Sequence, residues 1–231
     1  MCAPQAASAG VAATLHVSSD RGQDPTKLSL IGIVLGKAVI AVLAVLAVSD
    51  EYGTGMIRVT LSSMPRRLLV LFAKAANVAG LTLIAALVAV AGCLVVGRLM
   101  LPAGGLDPAH GYALISITDG PTLRAAVGSA IYLVLIALLS LGVATATRDT
   151  AVSIGLVLGL LYLPPVLAQA VTDPLRRHLL QIAPMSAGLA IQATTNLNSL
   201  PIGPWAGLGV LAAWAVASLL IAGLLLRLRD A

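Results

Sequence analysis

The chain has 231 residues, of which 59% are apolar and only 10% are charged, and its mean hydropathy is +1.01. About a quarter of the residues of a soluble domain are charged, so this composition excludes a soluble globular protein. Each transmembrane helix needs about 20 apolar residues, which leaves room for several spans but no sizeable soluble domain. The net charge of +5 comes from basic residues scattered between apolar runs, a pattern that fits membrane topology better than a nucleic-acid partner.

Residues 1–27 precede the first apolar run and lack the basic start and continuous apolar core of a signal peptide. The short apolar stretch at 6–15 is interrupted by Ser8, Gly10 and Thr14, and it is too short to cross a bilayer. We therefore expect residues 1–27 to be an external loop, or an N-terminal remnant that followed another helix.

Five later apolar runs are long enough to cross a bilayer. Barrel strands would be about 10 residues long and would alternate in polarity, which these runs do not do. The sequence therefore predicts an all-α fold, a polytopic transmembrane helical bundle. The predicted spans are residues 28–48, 75–97, 125–147, 151–171 and 205–226.

The links between the runs differ in character. Residues 148–150 join the third and fourth runs so tightly that an antiparallel hairpin is predicted. Residues 98–124 are rich in glycine and proline turn signals and indicate a loop. Residues 172–204 combine polar ends with an apolar middle, so we expect an external segment that dips into the interface or re-enters the protein.

The basic residues of the links predict the orientation of the chain. If residues 49–74 are cytoplasmic, that side of the membrane holds seven basic residues and the opposite loops hold four, or six when Arg21 and Lys27 are included. This modest excess places the C-terminus in the cytoplasm.

Eleven arginines against three lysines, together with abundant alanine, indicate a bacterial protein, which we expect in the plasma (inner) membrane.

No residue pattern in the chain predicts a catalytic, metal or cofactor site. Cys2 and Cys93 have no partner motif, and His16, His110 and His178 are far apart without carboxylates at ligand spacing. The sequence has none of the common hydrolase or metalloprotease motifs. We therefore expect a protein that is not itself an enzyme and that has no cofactor.

The most distinctive polar stretch is residues 50–67, between the first two runs. If this stretch is helical, Glu51, Gly55, Arg58 and Ser62 share one face, and Pro65 ends the helix. One hypothesis is an interfacial helix that contacts lipid phosphates. The other is a helix that docks a cytoplasmic partner, and the residues alone do not decide between the two.

Residues 51–67 read EYGTGMIRVTLSSMPRR, and Lys74 follows. This stretch resembles the pattern E-Y-x-x-G-T-x-R-x-x-L-x-x-x-P-R-R of ABC-2 type transporter permeases, although Met56 stands where many members have threonine. The resemblance extends from about residue 26 to the C-terminus. The residues that it assigns to the coupling segment are Glu51, Tyr52, Gly55, Arg58, Leu61, Pro65, Arg66 and Arg67.

The resemblance implies a permease subunit of an ABC-type exporter, paired with a second permease copy or a related permease. It implies that residues 50–67 contain a coupling helix seated on a separate ATP-hydrolysing subunit. The family has six helices and short re-entrant helices before the last one, where residues 172–204 lie. None of the five apolar runs corresponds to the first helix of the family, so we expect that the chain lacks that helix.

Lys37 stands in the middle of the first run, where insertion of a lysine costs about 2.5 to 3.5 kcal/mol. It is a possible path or interface residue, or a tolerated lysine that reaches the membrane surface. Residues 32–38 superficially resemble a phosphate loop but have the wrong spacing, so no ATP site is predicted in this chain and an ATP-driven version would need a separate ATPase. Pro164 and Pro165 should kink the fourth span, lining a cavity or only adjusting packing.

Two other functions stay open. A non-transporting anchor, immunity or assembly protein would present the same amphipathic segment without an ATPase. An ion-coupled carrier would require Lys37.

Three glycine pairs have the spacing that permits close helix contact, a weak signal in a chain with 22 glycines: Gly32 and Gly36, Gly155 and Gly159, and Gly203 and Gly207.

Overall fold

The structure is a computed structural model that describes residue 30 and residues 32–53, 67–100, 120–194, 200 and 202–229. At residues 50–53, 67, 68, 100 and 229 the description covers the backbone only. The regular elements in these ranges are all helical. In chain order they are α1 (Gly32–Gly53), α2 (Arg67–Met100), α3 (Gly120–Thr147), α4 (Thr150–Ala170), α5 (Leu175–Ile182), α6 (Pro184–Leu189), a 3-10 turn (Ala190–Gln192) and α7 (Pro204–Arg229).

Within the described ranges, five helices are long and apolar enough to cross a membrane: α1, α2, α3, α4 and α7. The predicted all-α polytopic bundle is confirmed, and the chain is a multi-pass membrane protein. Several helices extend beyond the apolar runs. The helix α1 continues to Gly53, and α2 begins at Arg67 instead of residue 75. Intrahelical hydrogen bonding continues into polar residues, so an apolar run sets the minimum length of a helix.

The helix α3 lies at the centre of the bundle. Buried residues make up 67% of its most apolar window, against 17% to 33% for the other four spans. It packs against α1, α2, α4 and α7. The backbones of α3 and α7 approach closely at Gly142, where an added Cβ would lie 2.8 Å from the backbone carbonyl carbon of Ser218. The glycine therefore sets the distance between these two helices.

A two-residue turn joins α3 to α4. Arg148 has a left-handed φ of 57°, and its N–H donates to the Ala144 carbonyl at 3.0 Å, which closes the end of α3. Asp149 is extended and caps α4, since its carboxylate accepts a 2.8 Å hydrogen bond from the Val152 N–H. The turn satisfies backbone groups of both helices within itself, so α3 and α4 form the predicted antiparallel hairpin.

The cap on α4 can be tested by removing its carboxylate. We expect Asp149→Ala to lower the free energy of unfolding by about 1 kcal/mol, because the Val152 N–H loses its acceptor. Asp149→Asn keeps a side-chain oxygen at the same place and should stay within a few tenths of a kcal/mol of the original protein. Unfolding by SDS in mixed micelles, followed by circular dichroism, measures both variants. Equal losses in the two would contradict the capping role.

The short helices α5 and α6 lie between α4 and α7. No residue of α5 is buried, whereas α6 and the 3-10 turn are largely buried against α3 and α7. Side-chain hydrogen bonds fix this segment to both long helices. They run from Arg124 Nη2 to the Ala193 carbonyl (2.7 Å), from Gln192 Nε2 to Ser129 Oγ (3.1 Å) and from Trp214 Nε1 to the Ile182 carbonyl (3.0 Å).

Candidate functional site

The link between α1 and α2 carries the coupling segment of the sequence analysis. Glu51 and Tyr52 are in the last turn of α1, and Arg67 is the first residue of α2. The link therefore begins and ends on two consecutive spans. The remaining predicted coupling residues lie outside the described residues: Gly55, Arg58, Leu61, Pro65 and Arg66.

Other described elements share this end of the bundle. Consecutive spans run in opposite directions, so the turn between α3 and α4 and the C-terminal end of α7 lie on the same side as the α1–α2 link. Arg148 in that turn and Arg227 near the end of α7 are both exposed. This end of the bundle therefore presents basic side chains beside the link.

Lys37 lies inside the bundle. Its side chain is fully buried, with 0% exposure, and it is the one charged residue between positions 32 and 49 of α1. Within the described part of the chain, no atom accepts a hydrogen bond from its Nζ. The Nζ lies 4.6 Å from the centre of the Tyr162 ring on α4, in a cation–π arrangement.

Tyr162 is itself attached to α1. Its hydroxyl donates a 3.0 Å hydrogen bond to the backbone carbonyl of Val34, less than one turn before Lys37. The ring is therefore held across the gap between α4 and α1, with its face available to the ammonium group. This pairing connects two spans that are far apart in sequence.

A second buried tyrosine lies on α3. The Tyr132 side chain has 0% exposure, and its hydroxyl has no hydrogen-bond partner in the described part of the chain. Tyr132 and Tyr162 are about 22 and 18 Å from the α3–α4 turn along their helices, so they lie at nearly the same depth. The Tyr132 ring packs against Gly188 of α6, where no Cβ would fit.

Pro164 and Pro165 are both inside α4, two and three residues after Tyr162. Both are half-buried, and the helix continues through them to Ala170. Proline has no N–H, so the carbonyls of Leu160 and Leu161 lose their usual intrahelical donors beside Tyr162. Lys37 thus contacts Tyr162 directly, and the two prolines follow Tyr162 within one turn of α4.

The sequence analysis missed both tyrosines of this cluster. The available signal was composition, because aromatic residues make up only 3% of the chain and there are four tyrosines. Two of the four stand inside predicted spans, at matching depths on the two sides of the hairpin.

Among the described residues, no group of histidine, cysteine, aspartate and glutamate side chains could hold a metal ion.

Comparison of this chain with models of protein families, with curated proteins and with solved structures finds no match.

Proposed function

We propose that this chain is the membrane-spanning permease subunit of an ABC-type exporter, and that a separate subunit hydrolyses ATP. The observation that carries the proposal is the sequence of the α1–α2 link, residues 51–67, which resembles the coupling segment of ABC-2 type permeases. Such a segment must join two spans on one side of the membrane. The described ends of α1 at Gly53 and α2 at Arg67 are compatible with that requirement.

The charge distribution supports a cytoplasmic position for this link. Arg148 and Arg227 are exposed at the same end of the bundle, and the link itself contains Arg58, Arg66 and Arg67. Basic residues favour the cytoplasmic side of a membrane protein. In a bacterial plasma membrane, the C-terminus would then be cytoplasmic, and the link would face a cytoplasmic ATPase.

The packing offers a route for force through the bundle. In the proposed mechanism, closure of the ATPase subunits pushes on residues 51–67 and tilts α1 and α2. Movement of α1 reaches α4 through the bond between Tyr162 and the Val34 carbonyl and through the Lys37–Tyr162 contact. The helices α1 and α4 also pack on α3, so a tilt of α1 and α4 moves the helices of the bundle together. The path for the substrate would lie between this chain and a second permease.

The test is a reconstitution of this chain with its proposed ATPase subunit. We expect the double variant Glu51→Ala, Arg58→Ala to bind the ATPase at least about tenfold more weakly, a loss of about 1.4 kcal/mol. The rate of substrate-stimulated ATP hydrolysis in proteoliposomes should fall together with this affinity. The reason is that the variant removes one charge of each sign from the proposed docking face.

The matched control is Arg176→Ala, Arg177→Ala, which removes two exposed charges from α5 at the opposite end of the bundle. Its association with the ATPase and its stimulated hydrolysis should equal those of the original protein. If the Glu51, Arg58 variant also behaves like the original protein in both assays, the coupling assignment is wrong. A non-transporting membrane anchor would then be the better description.

A further inference from the structure

The cluster around Lys37 has an unusual chemical composition for the interior of a membrane protein. A lysine in mid-span must lose its charge, reach water or meet an anionic partner. Lys37 is fully buried, so its ammonium group is not at the membrane surface. The Tyr162 ring covers one side of the ammonium group and contributes about 2 kcal/mol if the group is charged. That contact satisfies none of its three N–H donors.

No carboxylate in the described helices can neutralise Lys37. The nearest acidic residues along α1 are Asp50 and Glu51, which are about 20 Å away along the helix axis. Asp149 and Asp173 lie beyond the two ends of α4. The remaining described helices contain neither aspartate nor glutamate. If Lys37 is charged, its counter-charge must therefore come from outside these helices.

The second unpartnered group at this depth is also a hydrogen-bond donor. The buried Tyr132 hydroxyl has no partner among the described residues, while the Tyr162 hydroxyl already donates to the Val34 carbonyl. A buried polar group without a partner costs about 1 to 3 kcal/mol. An ammonium group and a phenol at one level of the bundle both require acceptors, and the positive charge favours an anionic one.

The packing beside the pair is open. A Cβ added to Gly36, which adjoins Lys37, or to Gly159, about one turn before Tyr162, would meet no atom within 4 Å. These glycines lie on α1 and α4, the two helices that the Lys37–Tyr162 contact joins. The helix surfaces next to Lys37 and next to Tyr162 therefore have room for an added group at these two positions.

From these observations we propose that Lys37 is the cationic centre of an intramembrane site for an anionic carboxylate or phosphate group, formed where α1, α3 and α4 meet. The Tyr132 hydroxyl is its second donor, and the Tyr162 ring positions the ammonium group. The anion is either the headgroup of an amphiphile in the membrane or a free ion. This site does not depend on the permease assignment, because anion binding requires no ATPase.

The test measures binding by the full chain in detergent. Phosphatidylglycerol and phosphatidylcholine are compared by native mass spectrometry, and inorganic phosphate is measured by equilibrium dialysis. We expect the original chain to prefer phosphatidylglycerol over phosphatidylcholine by about tenfold, as for one charge-assisted contact. Lys37→Met should abolish the preference, Lys37→Arg should retain it, and Tyr132→Phe should weaken binding about threefold. Arg227→Met, which removes an exposed basic residue, is the matched control and should bind normally.

The two probes separate the two sources of the anion. Lys37-dependent binding of phosphatidylglycerol indicates a headgroup, whereas Lys37-dependent binding of phosphate alone indicates a free ion. Because Lys37→Met removes a buried charge that has no partner in the described part of the chain, the melting temperature of the variant should equal or exceed that of the original chain. If Lys37→Met and the original chain bind both probes equally, the proposal is overturned. Lys37→Gln provides the same comparison if the methionine variant aggregates.

Discussion

Gly207→Ala is expected to destabilise the bundle by about 1 to 3 kcal/mol, as overpacking of a close contact does. Gly207 is in the first turn of α7, and a Cβ there would collide with the backbone carbonyl of Ala187 in α6. No side chain can move aside to relieve this collision, because the obstructing atoms belong to the main chain. The variant must push α6 away from α7, and with it the 3-10 turn that follows.

Gly209 provides the matched control, because it is two residues later in α7 and a Cβ there would meet nothing within 4 Å. Gly209→Ala should be neutral or more stable by up to about 1 kcal/mol, since alanine is the better helix former. The two variants are compared by SDS unfolding and by tryptophan fluorescence. Trp214, which donates to the Ile182 carbonyl beside α6, should report the displacement in Gly207→Ala alone. Equal stability of the two variants would contradict the α6–α7 packing.

The second large effect is expected at the crossing of α3 and α7. A Cβ on Gly142 would lie 2.8 Å from the Ser218 carbonyl carbon and 2.9 Å from the Leu219 nitrogen, and it would also collide with the Ser218 hydroxyl. We expect Gly142→Ala to cost about 1 to 3 kcal/mol, because the central helix must move away from α7. Loss of the compact state on size-exclusion chromatography after mild heating would accompany the loss of unfolding free energy.

A second substitution tests the geometry of this crossing. Ser218→Gly in the Gly142→Ala background removes the hydroxyl but leaves the backbone collision, so it should restore only part of the lost stability. Gly155→Ala on α4, where a Cβ would meet nothing within 4 Å, is the neutral control. Complete rescue by Ser218→Gly would show that the two backbones are farther apart than the structure has them.

The existence of the five spans was predictable from the sequence, because the requirement for about 20 apolar residues is simple and each run meets it. Which span lies in the centre was not predictable. The helix α3 does not stand out from the other spans in hydropathy. Lipid-facing and protein-facing surfaces have the same polarity in a membrane protein. Its centrality depends on small residues such as Gly128 and Gly142, which the hydropathy of a run does not distinguish.

The candidate site was predictable in part. Lys37 stood out because a charge in mid-span is costly, and the absence of an acidic partner in the spans was visible from the sequence. Its aromatic partner Tyr162 is on a span 125 positions later, and no local pattern indicates that α1 and α4 are neighbours. The six paired glycines were also weak guides, since only Gly207 among them meets an obstructing atom below 3 Å.

The central position of α3 has a consequence for the order of biosynthesis. The hairpin of α3 and α4 is complete once residue 170 has left the ribosome, and its turn closes without help from later residues. The surface of α3 around Gly142, however, is covered by α7, which is synthesised after both of these helices. The packing of α3 is therefore completed only after α7 has been translated.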